Sequence, residues 1–209
     1  MAEVRLGIIM NGVTGRMGTN QHLARSIKAI QDQGGVELTN GDCVMPDPIL
    51  VGRNENKLKA LARDYGVERW STDLDEALSN EEDRLFFDAA LTSHRADLLK
   101  KAMDAGKDIY CEKPIAENVD DAMGVVRYAE KTGSINGVVH DKLSLPGILK
   151  LAHLVETDYF GRILSVRGDF GYWVFTGDGE PAQRPSLSLI HISEPTRPRL
   201  ISYAVFCLK

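Results

Sequence analysis

Short apolar runs alternate with helical patterns along residues 1–140, and few folds accept that order. Leu6-Gly7-Ile8-Ile9-Met10 predicts a first strand; Leu23, Ile27 and Ile30 then recur at helical spacing, and Gly34-Gly35 ends that helix. Asn40-Gly41 lies between Val36-Glu37-Leu38 and Cys43-Val44-Met45 and predicts a small hairpin, inserted ahead of a second core strand, Ile49-Leu50-Val51. A helix through Leu58, Leu61 and Ala62 stops near Gly66, and residues 67–70 follow as a strand. Asp73 is the expected cap of a short helix carrying Leu74, Ala77 and Leu78, before the strand Leu85-Phe86-Phe87. Leu98, Leu99 and Met103 mark the next helix, stopped by Gly106, and Ile109-Tyr110-Cys111 the next strand. A helix from Val119 to about Lys131, capped by Asn118 and closed by Gly133, leads to a last strand at 135–139. Strands separated by helices form βαβ units, so the expected class is α/β, a parallel sheet with helices on both faces.

After Pro146 the texture changes. One amphipathic helix (Ile148, Leu149, Leu151, Leu154, Val155), a turn at Gly161 and a β-branched, aromatic run over 162–175 predict the first helix and first long strand of a different, α+β domain. Left without partner strands, that run is a predicted aggregation edge. Residues 187–209 continue neither pattern. They resemble the in-frame translation of a transposon-end sequencing adapter: Leu187 to Arg197 match its mosaic end, Pro198 to Leu200 an index, and Ile201 to Lys209 the outer primer. The expected organisation is therefore a nucleotide-binding domain over 1–140, the incomplete start of a second domain over 141–186, and a non-native tail over 187–209. The alternative for the tail is a divergent strand pair.

The formal net charge is −5, so no broad basic surface advertises nucleic acid or an anionic membrane. An anionic cofactor has to be held by local features. Cys43, Cys111 and Cys207 show no C-x-x-C spacing and fit a reducing compartment. The apolar stretch within residues 1–10 is too short for a signal peptide core, and no run reaches membrane-spanning length, which together point to a soluble cytoplasmic protein. His22, His94, His140, His153 and His191 are scattered without metal-ligand spacing.

The first strand–helix junction reads Gly12-Val13-Thr14-Gly15-Arg16-Met17-Gly18. Glycines there permit a tight turn and let backbone N–H groups approach a pyrophosphate at a helix N-terminus. The spacing, G-x-x-G-x-x-G, is shifted from the usual G-x-G-x-x-G, so its position in the βαβ series carries the assignment. The second strand ends Val51-Gly52-Arg53-Asn54, with no carboxylate before Glu55. A carboxylate at that point selects NAD by bonding the ribose hydroxyls, whereas a guanidinium clamps a 2′-phosphate. NADP is therefore expected over NAD, with Arg53 as the reader and Asn54 assisting.

Cys111-Glu112-Lys113-Pro114 follows a strand and is preceded by Ala105-Gly106-Lys107. With the glycine turn, this resembles the Gfo/Idh/MocA oxidoreductases (glucose–fructose oxidoreductase and inositol dehydrogenase), over about residues 4–186. The resemblance implies a Rossmann-type first domain, a Lys113–Pro114 peptide in the cis form, and Lys113 as the catalytic group that hydrogen-bonds the reacting oxygen and relays its proton. It also places Glu112 beside the cofactor ribose. After the fourth strand, relatives carry a Thr-Pro pair and then a His. Here Ala89-Ala90-Leu91-Thr92-Ser93-His94-Arg95 puts Arg95 at the His position, leaving His94 solvated or structural. Ala90 and Thr92 remain expected cofactor contacts, Thr92 alternatively capping the next helix. Lys142 matches a basic position at the mouth of the nicotinamide pocket, with His140 a weaker substrate-site candidate and Asp141 beside it. The family's second-domain Asp and His would lie beyond residue 186, and homo-oligomers are expected of the full-length protein only.

The resulting expectation for the intact gene product is an NADP-dependent dehydrogenase of a sugar, inositol or related polyol, with no nucleic-acid or membrane partner; the 209-residue chain, without the second-domain Asp and His, is expected to be inactive. Two alternatives stand: a nucleotide-binding fragment without turnover, and a reductase of the dihydrodipicolinate type suggested by Gly15-Arg16-Met17-Gly18. No His-His-x-x-Lys segment accompanies that last motif.

Overall fold

The computed structural model describes residues 2–168 and the backbone of Ala204–Val205. It divides into two compact units, Met1–Asp141 and Lys142–Lys209.

The first unit is a sheet between two helical layers. Its strands are β1 (Glu3–Asn11), β2 (Val36–Glu37), β3 (Cys43–Val51), β4 (Arg69–Ser71), β5 (Leu85–Asp88), β6 (Asp108–Cys111) and β7 (Asn136–Val138). The helices are a π-helix (Met17–Lys28) continuing into α1 (Ala29–Asp32), then α2 (Glu55–Tyr65), α3 (Leu74–Ser79), α4 (Thr92–Asp104) and α5 (Val119–Thr132). The parallel strands run in the order β4-β3-β1-β5-β6-β7, with β2 antiparallel on β3. This is the doubly wound order, and its reversal point lies between β1 and β5.

Side-chain alternation explains the layers. Ile8 and Met10 of β1, Leu50 of β3 and Phe87 of β5 face one core with Leu23, Leu58 and Ala62 from the π-helix and α2. Ile9, Val51 and Phe86, one residue out of phase, face the other core with Leu99 and Met103 of α4 and Val125 of α5. A strand buried on both faces has no polar alternation, which is why these strands read as continuous apolar runs. Caps fall where expected. Asp73 accepts from the N–H groups of Asp75 and Glu76, Asn118 accepts from that of Asp121, and Gly66 and Gly133 end α2 and α5 with φ of +61° and +71°.

Three local readings need correction. The arm Cys43-Val44-Met45 is the start of β3 itself, in register with β1 from Glu3↔Cys43 to Asn11↔Val51, so the hairpin is an extension of the core strand and not an insertion before it. Pro46 and Pro48 disguise that continuity. They lie where β3 has β1 on one side and, between its pairings with β2 and β4, no strand among the described residues on the other; Gln31 Nε2 donates to the Pro46 carbonyl there at 2.8 Å. Proline's missing N–H costs no ladder bond at such an edge. Second, the first helix is wide. Gly18 and Leu23, five residues apart, are its buried positions, while Ile30 packs into neither core. Third, Thr92 does not cap α4: the N-cap is Leu91, and the Thr92 hydroxyl instead receives Arg95 Nη1 at 3.4 Å.

In the second unit, Pro146 opens helix α6 (Pro146–Glu156) at its first turn, where its lack of an N–H is harmless. Gly161 turns the chain with φ of +57°. In the expected long strand, only Arg167–Gly168 (β8) is extended among the described residues, paired antiparallel with Ala204–Val205 (β9). Residues 169–175 of that run, and the tail over 187–209 apart from the backbone of Ala204–Val205, lie outside the described residues. No helix among the described residues is long and apolar enough to cross a membrane.

At the N-terminal end of the sheet, Asp83 is fully buried and bonded by Arg69 at 2.8 and 2.9 Å and by Arg5 at 3.0 Å. Burial raises the carboxyl's pKa, but the Arg69 bonds and charge, then those of Arg5, outweigh it and hold the group below its ordinary value of 3.8. A depressed folded pKa stabilises above the unfolded value and ceases to do so as pH falls through the folded one. The Asp83→Asn variant is expected to lose about 2–4 kcal/mol near neutral pH. In denaturant titrations its deficit relative to wild type should shrink as pH falls below the carboxylate range. A deficit independent of pH would contradict this role.

Candidate functional site

Three strand ends meet at the reversal point. After β1, Gly12 takes φ of +74°, and a Cβ there would strike the backbone of Ala89 and Ala90 after β5. Gly12 N–H donates to Val51 O at 3.1 Å, fastening the turn to the end of β3 as well. A Cβ on Gly18 would lie 2.7 Å from Gly12 O and Val13 Cα, so the helix start can approach the turn only as glycine. Gly15 is different. It is exposed, and a Cβ there would meet only Gly12 O, at 3.3 Å. Two glycines thus serve packing, while the third leaves the outer surface of the turn bare beside Thr14, Arg16 and Met17. Thr19 N–H donates to Gly15 O at 2.8 Å, and the positive end of the helix ahead of it favours an anion.

Beyond β3, Gly52 lies against the Thr14 side chain, and Arg53 next to it is exposed with no ion pair among the described residues. Asn54 caps α2, its oxygen accepting from Lys57 N–H at 3.0 Å, which leaves its amide N–H groups as the part able to assist Arg53.

Asp88 closes β5 fully buried, and Arg95 on α4 is 2% exposed. Arg95 Nε donates to Asp88 Oδ2 at 2.8 Å, Nη2 to Ala90 O at 2.7 Å, and Nη1 to Pro114 O. The other carboxylate oxygen, Oδ1, accepts from Asn11 Nδ2 at 2.8 Å and from Ala90 N–H at 3.4 Å. The pair therefore ties the ends of β1, β5 and β6 together.

At the end of β6, Glu112 is buried. Oε1 lies 2.6 Å from His22 Nε2, and Oε2 accepts from Lys113 N–H at 3.0 Å. Both oxygens of Glu112 are turned inward, so its observed contacts hold the backbone beneath Lys113. The Lys113–Pro114 peptide is cis, as the resemblance implied, and both residues are exposed. Burial pushes the neighbouring Cys111 thiol up to about 11, so it is an uncharged core side chain near neutral pH. His140 follows β7 and is exposed, as is His94 on α4; Lys142 belongs to the second unit.

The glycine turn, Arg53, Asn54, Ala90, Thr92 and Glu112-Lys113-Pro114 are thus all carried on the C-terminal ends of four adjacent strands. Asn11, His22, Asp88 and Arg95 join them without having been expected. Their signal was a carboxylate directly ending an apolar strand: in a parallel sheet it is buried and needs a cation, and Arg95 stands one turn into the next helix.

The unequal glycines give a direct test. Gly18→Ala should lower stability by roughly 2 kcal/mol or more through backbone displacement. Gly15→Ala should stay within about 1 kcal/mol of wild type, both variants being followed by denaturant titration. Equal losses of stability in the two variants would contradict the division of roles.

A family model described as the GFO_IDH_MocA oxidoreductase family, with an NAD-binding Rossmann fold, matches residues 6–140. D-xylose dehydrogenase of Paenarthrobacter nicotinovorans is 55% identical over 179 residues, covering 86% of this chain and 46% of that protein. The scyllo-inositol 2-dehydrogenase (NAD(+)) of Bacillus subtilis is 33% identical over 122 residues, covering 58% of this chain and 34% of that protein. A solved levoglucosan dehydrogenase in complex with NADH and levoglucosan superposes with a TM-score of 0.67 at 20% identity, over 81% of this chain and 44% of that one. An NAD-binding oxidoreductase from Klebsiella pneumoniae superposes with a TM-score of 0.65 at 21% identity, over 78% of this chain and 41% of that one. The chain spans less than half the length of each of these proteins. The matched family residues contain the glycine turn and the Glu112-Lys113-Pro114 strand end, and the chain belongs to the Gfo/Idh/MocA oxidoreductase family, whose first domain binds NAD(P).

Proposed function

We propose that this chain carries the cofactor-binding domain and the catalytic lysine of an NADP-dependent dehydrogenase acting on a hydroxyl-bearing carbon of a sugar or related polyol. The observation that carries this reading is the exposed Lys113, held by internal bonds at the same sheet edge as the glycine turn. The bare apex at Gly15 and the helix start at Met17 fit a pyrophosphate. Arg53, exposed where a carboxylate would select NAD, supports NADP. Resemblance to the Paenarthrobacter enzyme makes D-xylose the first substrate to try.

The nicotinamide supplies the hydride acceptor or donor when bound. The chain's own residues bind, orient and move a proton. In the oxidative direction the neutral Lys113 amine accepts the substrate hydroxyl proton as the carbonyl forms, becoming the ammonium, and in the reductive direction that ammonium donates the proton back to the carbonyl oxygen. Glu112 and Arg95 fix the backbone on either side of it. Arg53 binds the 2′-phosphate, and the turn holds the pyrophosphate. On this reading the protein's general acid–base group stands on a strand end, where its position is set by the sheet.

Oxidation of D-xylose and a panel of other sugars and inositols is followed by NADPH absorbance, and binding by NADPH fluorescence on the same preparation. Lys113→Met is expected to lose roughly 10²–10⁴-fold in turnover with cofactor binding retained. Arg53→Asp should lose roughly 10–100-fold of its preference for NADPH over NADH, the worth of a charge-assisted contact. Binding without turnover on every sugar would favour a nucleotide-binding role instead. An Arg53→Asp protein that still prefers NADPH would refute the assignment of Arg53.

A further inference from the structure

We propose that His22 is a positioning residue for Lys113, acting through Glu112; the inference rests on the dehydrogenase reading above. His22 lies on the π-helix that starts at the glycine turn, and Glu112 directly follows β6, 90 residues further along the chain. Their side chains are only 14% and 7% exposed and meet at 2.6 Å. In the Nε2–H tautomer, His22 donates to Glu112 Oε1. The imidazole is seated on Phe87 of β5, with ring centroids 4.5 Å apart at 56°, which fixes its direction.

Glu112 has one oxygen on His22 and the other on the N–H of Lys113, while its own N–H donates to Asp88 O at 2.8 Å. Without the imidazole, Oε1 of a buried carboxylate loses its donor, and the carboxylate is drawn to turn toward water or another partner. Either movement releases Lys113 N–H. The wide helix makes the contact possible: five-residue spacing carries His22 inward with Ile27, as it does Gly18 with Leu23. The helix whose first turn faces the pyrophosphate is thereby bonded to the segment that presents the lysine. His22 touches neither the reacting atoms nor the outer face of the turn, so its loss should fall on turnover rather than on cofactor affinity.

Two variants separate the donor from the bulk. Leu at position 22 keeps apolar contact with Phe87 but cannot donate, whereas the terminal amide of Gln reaches about as far from the backbone as Nε2. Should His22→Leu fail to fold, His22→Asn replaces it, since its amide stops short of Glu112. The expected result is a roughly 10–100-fold fall in kcat for His22→Leu, the scale of a small misplacement of a reacting group. Its NADPH Kd should stay within about threefold of wild type, and His22→Gln should recover most of the turnover. A second readout needs no substrate: acylation of Lys113 by a lysine-directed ester, measured by peptide mass spectrometry against Lys59 on α2. His22→Leu should alter the Lys113 rate while leaving Lys59 alone, and His22→Gln should restore it. If wild type turns over no sugar, the dehydrogenase reading fails, and the labelling alone decides the positioning role. Unchanged kcat and labelling in His22→Leu, or a His22→Gln no better than His22→Leu, would overturn the proposal.

Discussion

The buried pair of Asp88 and Arg95 is the contact on which the site's geometry depends. Neither side chain reaches solvent to any extent, and between them they take up the Asn11 amide, both polar groups of the Ala90 backbone, the Thr92 hydroxyl and the Pro114 carbonyl. Taking two such charges out of water costs several kcal/mol per ion before attraction and hydrogen bonds offset it, so the pair adds little net stability. What it adds is definition. A fully bonded guanidinium has few alternative positions, and here its partners are the loops after β5 and β6. Losing either member would leave the other charged and buried, at a cost of about 3–5 kcal/mol.

The rest of the site follows from where that pair stands. In a doubly wound sheet, loops diverge at the reversal of strand order and leave a crevice at the strands' C-terminal ends. Gly12 closes against Ala89 and Ala90 there, and its N–H reaches Val51, so the turn is braced from both neighbouring strands. The opposite end of the sheet is tied by a separate network in which Asp83 joins Arg5 and Arg69. With a net charge of −5, attraction for a dinucleotide has to be local. The helix start at Met17 and the exposed Arg53 provide it on the reading proposed above.

Much of this was legible because parallel strands buried on both faces announce themselves as apolar runs, and helix ends as Asp73, Asn118, Gly66 and Gly133. The failures have physical causes. Pro46 and Pro48 broke the apparent β3 into a hairpin arm and a strand, because the sequence does not reveal that their missing N–H groups face an unpaired edge. A uniform 3.6-residue period predicts Ile30 on the inner face and gives no place to His22, because the chain winds as a wider π-helix over Met17–Lys28 and returns to an α-helix only at Ala29–Asp32. Apolar periodicity ended β5 at Phe87, yet the buried Asp88 is its last residue. Arg95 was noticed only as a departure from the family's His, and its ring of bonds to three strand ends depends on contacts no local pattern encodes. The lysine and the glycine turn were found because both lie in short motifs directly at strand ends.

A crystal structure of the chain with NADPH would test the central claim most directly, since it locates every proposed contact at once. The account predicts the pyrophosphate over the turn of Thr14, Gly15, Arg16 and Met17, the 2′-phosphate on Arg53, and the nicotinamide ring beside the Lys113 side chain. A dinucleotide bound elsewhere, or one whose nicotinamide points away from Lys113, would contradict it.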